Sequence, residues 1–327
     1  MITNFFVPLW SVMNKLMILT IVSGVLLASC GQSYEESKRI ARENRREAAR
    51  RDSAALKVAV MPTLDCLPLY VAEHYQLFDS VKGGVRLKHF QAQMDCDTAI
   101  LRGRVEGVVS DLVRTKRMER LGLRLRYVAA TNAYWQLVSN RNARVRQLKQ
   151  LDSKMVAMTR LSATDMLCDV AVDSAKVDGE RVFRVQINDL GVRMLMLQNN
   201  ELDALWLTEP HATMARNMKH PVVADSRQMG LQLGTMAFRE QEMQREARQQ
   251  QLQWLLKAYD QACDSINAHG LQYYAKLIEQ QCGMSRQTID SLPRQIRYGH
   301  AQCPRQQDVE RVEEWLDQRL GGKNGKK

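Results

Sequence analysis

The chain has 327 residues, 45% of them hydrophobic and 6% aromatic, and a formal net charge of +11 at pH 7. That length allows two lobes, each with its own core. The basic residues are dispersed and lack the aromatic stacking platforms that nucleic-acid binding uses, so no nucleic-acid partner is expected. The charge serves solubility, membrane proximity or attraction of an anionic ligand, and does not choose among them. In chain order, Leu16 to Ala28 is the one continuous apolar stretch. It is shorter than the about 20 residues a membrane helix needs, and it has the length of a signal-peptide core. Met1 to Val12 carries no charge, whereas Met13-Asn14-Lys15 makes a good leader start, so Met13 is a candidate first residue.

The following Leu27-Ala28-Ser29-Cys30-Gly31 resembles the lipobox of bacterial lipoprotein precursors. The resemblance implies cleavage before Cys30, lipid on its thiol, and a periplasmic body held to a membrane. Residues 1–29 are then a signal peptide. Residues 30–55 are rich in Glu, Arg, Lys and Ala with almost nothing to bury, a charged tether. Glu35 with Arg39, and Glu47 with Arg51, sit at i,i+4 spacing and predict a solvated helix or partly disordered spacer. Contact of its arginines with anionic lipid heads is the alternative.

From Leu56 short β-type runs alternate with helical ones, the pattern of parallel sheets covered by helices. Leu56 to Met61, Val85 to Phe90, Val105 to Val109 and Leu123 to Ala130 are predicted strands. Pro68 opens a helix in its first turn, and Asp95 and Asp97 are candidate caps of the next. A second cycle runs from Met155 to Met158 through a helix capped by Ser162 or Thr164, then Val182 to Ile187, Leu190 to Asn199 and Leu202 to Leu207. Pro221 to Ala224 and Leu231 to Phe238 are predicted strands returning to the first lobe. Glu240 to His269, Leu271 to Gln281 and Gln306 to Leu320 are helical, and a Lys-rich tail ends the chain.

Four stretches resemble the type II periplasmic solute-binding proteins of ABC transporters, in the branch serving nitrate, sulfonates, taurine and thiamine pyrimidine precursors. They are Met61-Pro62 through Leu67-Pro68-Leu69-Tyr70 to Leu77-Phe78, Asp97 to Glu106 with Ser110-Asp111, Leu148 to Ala157, and Met196 to Ala204 with Thr208-Glu209-Pro210. Together they cover residues 57 to 240 in the family's order. Gln76, Ser153 and Asn200 stand where the family usually has glycine, which puts local turn geometry in question.

The resemblance implies two lobes, 57–132 with 232–327 and 133–231, each a mainly parallel sheet flanked by helices, with ligand in the crevice between them. It implies a monomer without a cofactor that binds a small molecule, delivers it to a transporter permease, and is not an enzyme. The alternatives are a lipoprotein without a transport role, or an enzyme of this fold acting on a pyrimidine-like or small carboxylic substrate. No nucleophile elbow, phosphate loop or spaced acid/base pair supports catalysis. No CxxC or HExxH supports a metal site.

Strand-end loops then supply the candidate ligand residues: Thr63, Asp65, Cys66 and Asp111 in the first lobe, and Arg160, Ser162, Thr164, Asn188 and Glu209 in the second. Ser162 and Thr164 are equally plain helix caps, since a helix N-terminus does both jobs for an anion. Asp65 and Glu209 have little evident structural duty. Tyr134 and Trp135, near the expected hinge, either stack on a ring or fill the core. Asp65, Asp111 and Glu209 facing one cleft repel a bare anion, while Arg160 and the helix end attract one, so a zwitterion or polar heterocycle satisfies both. Besides Cys30, Cys66, Cys96, Cys168, Cys263, Cys282 and Cys303 remain in a disulfide-permitting compartment, with Cys66–Cys96 and Cys282–Cys303 as the first pairings to test.

Overall fold

The computed structural model describes residues 34–78 and 84–321. The leader and Cys30 lie outside the described residues. The tether holds one helix, α1 (Tyr34–Ala54), whose side chains are almost all exposed. Arg51 and Glu47 pair across one turn, as do Arg39 and Glu43 at 3.9 Å. Among the described residues no helix is long and apolar enough to cross a membrane.

The body contains two five-stranded sheets. The first orders its strands β2-β1-β3-β10-β4, with β1 Leu56–Val60, β2 Val85–His89, β3 Gly107–Asp111, β4 Leu125–Ala130 and β10 Gly234–Arg239. The second orders them β7-β6-β8-β5-β9, with β5 Gln136–Ser139, β6 Met155–Met158, β7 Phe183–Gln186, β8 Ala204–Leu207 and β9 Val222–Asp225. In each, three parallel strands are extended by antiparallel pairing to a strand that enters from the other half of the chain's path, β10 in the first and β5 in the second. Buried strands such as Leu56-Lys57-Val58-Ala59-Val60 read as apolar runs because helices cover both faces.

Two segments connect the sheets, and they hydrogen-bond to each other and to the strands they leave. Thr131 N donates to Gly234 O at 3.0 Å, and Ser226 N donates to Trp135 O at 2.9 Å. Gly234 is packed so closely on Thr131 and Ala133 that a Cβ there would collide with them, which keeps the crossing tight.

Helices follow the strands: α2 (Leu67–His74, with Pro68 in its first turn), α3 (Gln93–Leu101), α4 (Leu112–Arg120), α5 (Ala163–Ala175), α6 (Leu190–Gln198) and α7 (His211–Asn217). The C-terminal region adds α8 (Glu246–His269), α9 (Ala275–Cys282), α10 (Arg286–Asp290) and α11 (Gln306–Gly321). Ser162 caps α5, its Oγ accepting from Thr164 N at 3.2 Å. Asp95 and Asp97 do not cap α3, which begins after Ala92, so both carboxylates fall inside the helix. The last helix, α11, shares an apolar cluster with α4 and α5 through Val312, Trp315 and Leu316, and Trp315 Nε1 donates to Asp169 Oδ2 at 2.7 Å.

The suggested disulfides do not form. Cys66, Cys96, Cys168, Cys263 and Cys282 are buried free thiols and Cys303 is an exposed one. Cys66 Sγ is instead engaged by Met61 N and Thr63 Oγ1, at 3.5 and 3.9 Å, and burial pushes its thiol up.

The three positions where glycine was missing all have left-handed backbone: Gln76 at φ 53°, Ser153 at φ 59° and Asn200 at φ 63°. The turn geometry is therefore kept while the side chain is not glycine. A left-handed non-glycine residue costs roughly 1 kcal/mol, less for asparagine. Gln76→Gly and Ser153→Gly are each expected to raise the unfolding free energy by up to about 1 kcal/mol in urea titration. Asn200→Gly is expected to gain nothing, because Asn200 Oδ1 also accepts from Asn142 Nδ2 at 2.7 Å.

Candidate functional site

The carboxyl ends of both sheets' parallel strands face one cleft, of about 80 Å³. The first lobe lines it with Thr63 and Asp65 after β1 and with Ser110 and Asp111 at the end of β3. The second lobe brings Thr159, Ser162 and Thr164 after β6 and Asn188 after β7. Gln93, Arg114 and Arg193 reach in from α3, α4 and α6, and Trp135 comes from the crossing segment.

Six of the nine residues chosen from strand-end position thus line the cleft: Thr63, Asp65, Asp111, Ser162, Thr164 and Asn188. Cys66 does not, being turned into the loop's own hydrogen bonds. Arg160 is exposed to solvent. Glu209 is only 2% exposed and has a full structural duty, correcting the expectation that it had little. Its carboxylate accepts from Thr213 N at 2.9 Å, Thr213 Oγ1 at 2.7 Å, Arg216 Nη2 at 2.7 Å and Tyr134 Oη at 3.2 Å. Its carbonyl accepts from Leu64 N at 3.0 Å, bonding a first-lobe loop to the second lobe. Tyr134 is buried beneath the Arg227 guanidinium, whose central carbon lies 3.9 Å from the ring centre, and does not line the cleft.

The cleft's charges fall into two groups. In the first lobe Arg114, nearly buried, pairs with Asp97 and, Nε to Oδ2 at 3.4 Å, with Asp111. Asp111 caps α4 by accepting from Arg114 N at 2.9 Å, and the same oxygen, Oδ1, accepts from Ala163 N of α5 at 3.1 Å. Burial pushes the Asp111 carboxyl up to about 6 in spite of Arg114. Burial also raises Asp97 and Asp65, whose Oδ2 accepts from Thr131 Oγ1 at 3.4 Å.

In the second lobe Arg193 is 3% exposed, and its guanidinium donates to three neutral oxygens: Ile187 O at 2.8 Å, Trp206 O at 2.8 Å and Thr159 Oγ1 at 2.6 Å. No carboxylate among the described residues forms an ion pair with it, and two of the five guanidinium N–H groups remain for other use. Burial, with Arg114 adding repulsion, pulls its pKa down to about 10, which leaves it charged at neutral pH. Asn188 Oδ1 is buried and has no hydrogen-bond partner among the described residues. The cleft thus offers a buried guanidinium with no ion pair among the described residues and an acceptor without a donor.

Neither arginine was among the residues singled out from sequence. Arg193 did leave a signal, being the one charged residue in the apolar helix Leu-Gly-Val-Arg-Met-Leu-Met-Leu-Gln. Arg114 was hidden by Lys116, Arg117 and Arg120 in the same short helix.

This arrangement of sheets and helices is shared with solved structures. The ligand-binding component of an ABC-type import system from Staphylococcus aureus, with zinc bound, superposes with a TM-score of 0.68 at 11% identity, over 81% of this chain and 92% of that one. The alkanesulfonate-binding protein SsuA from Xanthomonas axonopodis pv. citri, bound to MOPS, gives 0.68 at 14% identity over 82% and 93%. The fold is that of a type II periplasmic binding protein. The nitrate-binding protein NrtA from Synechocystis is a third such neighbour, with a TM-score of 0.63 at 11% identity, covering 76% of this chain and 74% of that one. No protein-family model matches the chain, and no curated protein does. Among the described residues no three His, Cys, Asp or Glu side chains are grouped to hold a metal ion.

Proposed function

We propose that this periplasmic-binding-protein fold captures a small polar organic solute in its interlobe cleft and delivers it to an ABC importer. In this reading the chain is a lipoprotein anchored through Cys30, with its body in the periplasm and its ligand handed to a membrane permease. The observation that carries the proposal is a pair of groups in the cleft, the Arg193 guanidinium without an ion pair among the described residues and the unpartnered Asn188 Oδ1, beside Asp65 and Asp111 of the facing lobe. Buried polar groups are normally satisfied, and a buried cation normally has its counter-ion. Here both fall in the crevice where ligands of open α/β sheets bind, which supports a ligand that brings an anionic group and hydrogen-bond donors together. Glu209 does not contribute charge to the cleft, so the acidic side of the balance rests on Asp65 and Asp111.

The test is a thermal-shift screen of the folded body against amino acids, sulfonates, pyrimidines, thiamine and nitrate. One class is expected to give a saturable rise, equivalent to about 2.7 kcal/mol at a ligand concentration 100-fold above Kd. Arg193→Met is expected to weaken binding of that ligand by roughly tenfold to a hundredfold, the worth of a charge-assisted hydrogen-bond pair. Absence of a shift with every class would overturn the solute-capture reading.

A further inference from the structure

The N-terminus of α5 points into the cleft from the second lobe. A helix of 13 residues presents there the positive end of its dipole and amide N–H groups that have no partner in the helix. Those groups are already in use. Ser162 Oγ accepts from Thr164 N, Ser162 O accepts from Asp165 N at 3.0 Å, and Asp111 Oδ1 of the first lobe accepts from Ala163 N at 3.1 Å. The protein's own carboxylate therefore stands where an anion would bind. It is fixed there from both sides, by its N-cap bond to Arg114 N and by the Arg114 side chain, which Asp97 holds in turn. Asp111 is 6% exposed, so solvent does not compete strongly for it.

We propose that Asp111 is the specificity-determining residue of the cleft: its carboxylate fills the anion position at the N-terminus of α5, ties the two lobes together, and excludes small free anions from that position. The proposal deepens the solute-capture reading and rests on it for the meaning of the site. Its consequence for the ligand is a matter of charge. Asp65 and Asp111 line the cleft with Arg114 and Arg193, and Asp97, outside the lining, takes up Arg114, so a bare anion meets an unfavourable balance. A ligand whose anionic group goes to Arg193 and whose N–H or O–H groups go to Asp65 and Asn188 does not. The ligand class is a small anion-bearing molecule that is also a strong hydrogen-bond donor, and inorganic anions are rejected.

The test uses hydrogen exchange of the peptide containing Ala163, in the full chain at neutral pH, with inorganic sulfate as the probe. In the wild type this peptide is expected to be protected without any added anion and unchanged by sulfate. Asp111→Ser keeps an N-cap for α4 but its hydroxyl falls short of Ala163, so exchange there is expected to quicken roughly tenfold, and sulfate to slow it again. Sulfate protection of the wild type equal to that of Asp111→Ser would overturn the proposal, as would unchanged exchange in Asp111→Ser. The wild-type arm stands without the variant: a peptide that exchanges freely at low salt and is protected by sulfate overturns the proposal by itself. Neither arm depends on the natural solute, whose absence from the thermal screen would be a separate failure.

Discussion

Arg114→Met is expected to destabilise the folded chain by about 3–5 kcal/mol at neutral pH, the range for removing one partner from a buried charge network. Arg114 is 4% exposed and lies between the carboxylates of Asp97 and Asp111. Its removal leaves those two acids buried near each other without a cation, so both protonate more readily in the folded state than in the unfolded one. Their folded pKa values, already raised by burial, rise further. A group with a raised folded pKa destabilises above its unfolded pKa and ceases to do so below it. The deficit should therefore be largest at pH 7 and shrink as the pH falls toward the ordinary value of 3.8, because the folded acids are then neutral and the unfolded ones lose the advantage of ionising. Urea titrations of wild type and variant across that range decide it. A deficit of the same size at pH 4 would mean that Arg114 acts through packing rather than charge.

The fold was legible where burial made it so. Runs such as Leu56–Val60 and Met155–Met158 are apolar because both faces of the sheet are covered, and their order, with helices between, implied two α/β lobes. The helix α4 was not legible, because Leu-Val-Arg-Thr-Lys-Arg-Met-Glu-Arg has only a narrow apolar stripe. Of the crossing strands β10 was found and β5 was not, Val222–Asp225 pairs with β5 in the second sheet rather than returning to the first, and the insertion of β10 between β3 and β4 left no local pattern, since its partners are distant in sequence.

In the site, position after a strand carried Thr63, Asp65, Asp111, Ser162, Thr164 and Asn188 into the cleft. Position does not carry direction. Arg160 sits beside Ser162 in sequence and points to solvent, its neighbour Leu161 having a left-handed backbone at φ 52°. Glu209 seemed idle beside its proline because its partners lie on the following helix, at Thr213 and Arg216, where only the folded turn brings them together. The same holds for Asp111, read from sequence as a ligand contact. Its bond to Ala163, 52 residues further on, is visible only once the two lobes are built.

Asp111→Asn separates the charge of that bond from its shape. Asparagine keeps an oxygen for Arg114 N and Ala163 N and gives up the ionisation. In the wild type the Asp111 carboxyl lies at about 6, pushed up by burial, against an ordinary value of 3.8. Between these values the folded chain binds the proton more tightly than the unfolded one, so this group's contribution to stability falls as pH rises through the window and is level above it. The full gap corresponds to about 3 kcal/mol, an upper figure because relaxation of Arg114 and Asp97 takes up part of it. The stability of Asp111→Asn relative to wild type should accordingly rise between pH 4 and pH 7 by up to about 3 kcal/mol, whatever constant offset the amide introduces. Thermal or urea unfolding at several pH values measures that difference directly. A flat difference would place the Asp111 carboxyl at an ordinary pKa, and would mean that Arg114 and the α5 amide together offset its burial. A rising one means that the chain keeps a destabilising charge at the mouth of α5, which is the expected mark of a residue kept for what it excludes from the cleft rather than for what it adds to the fold.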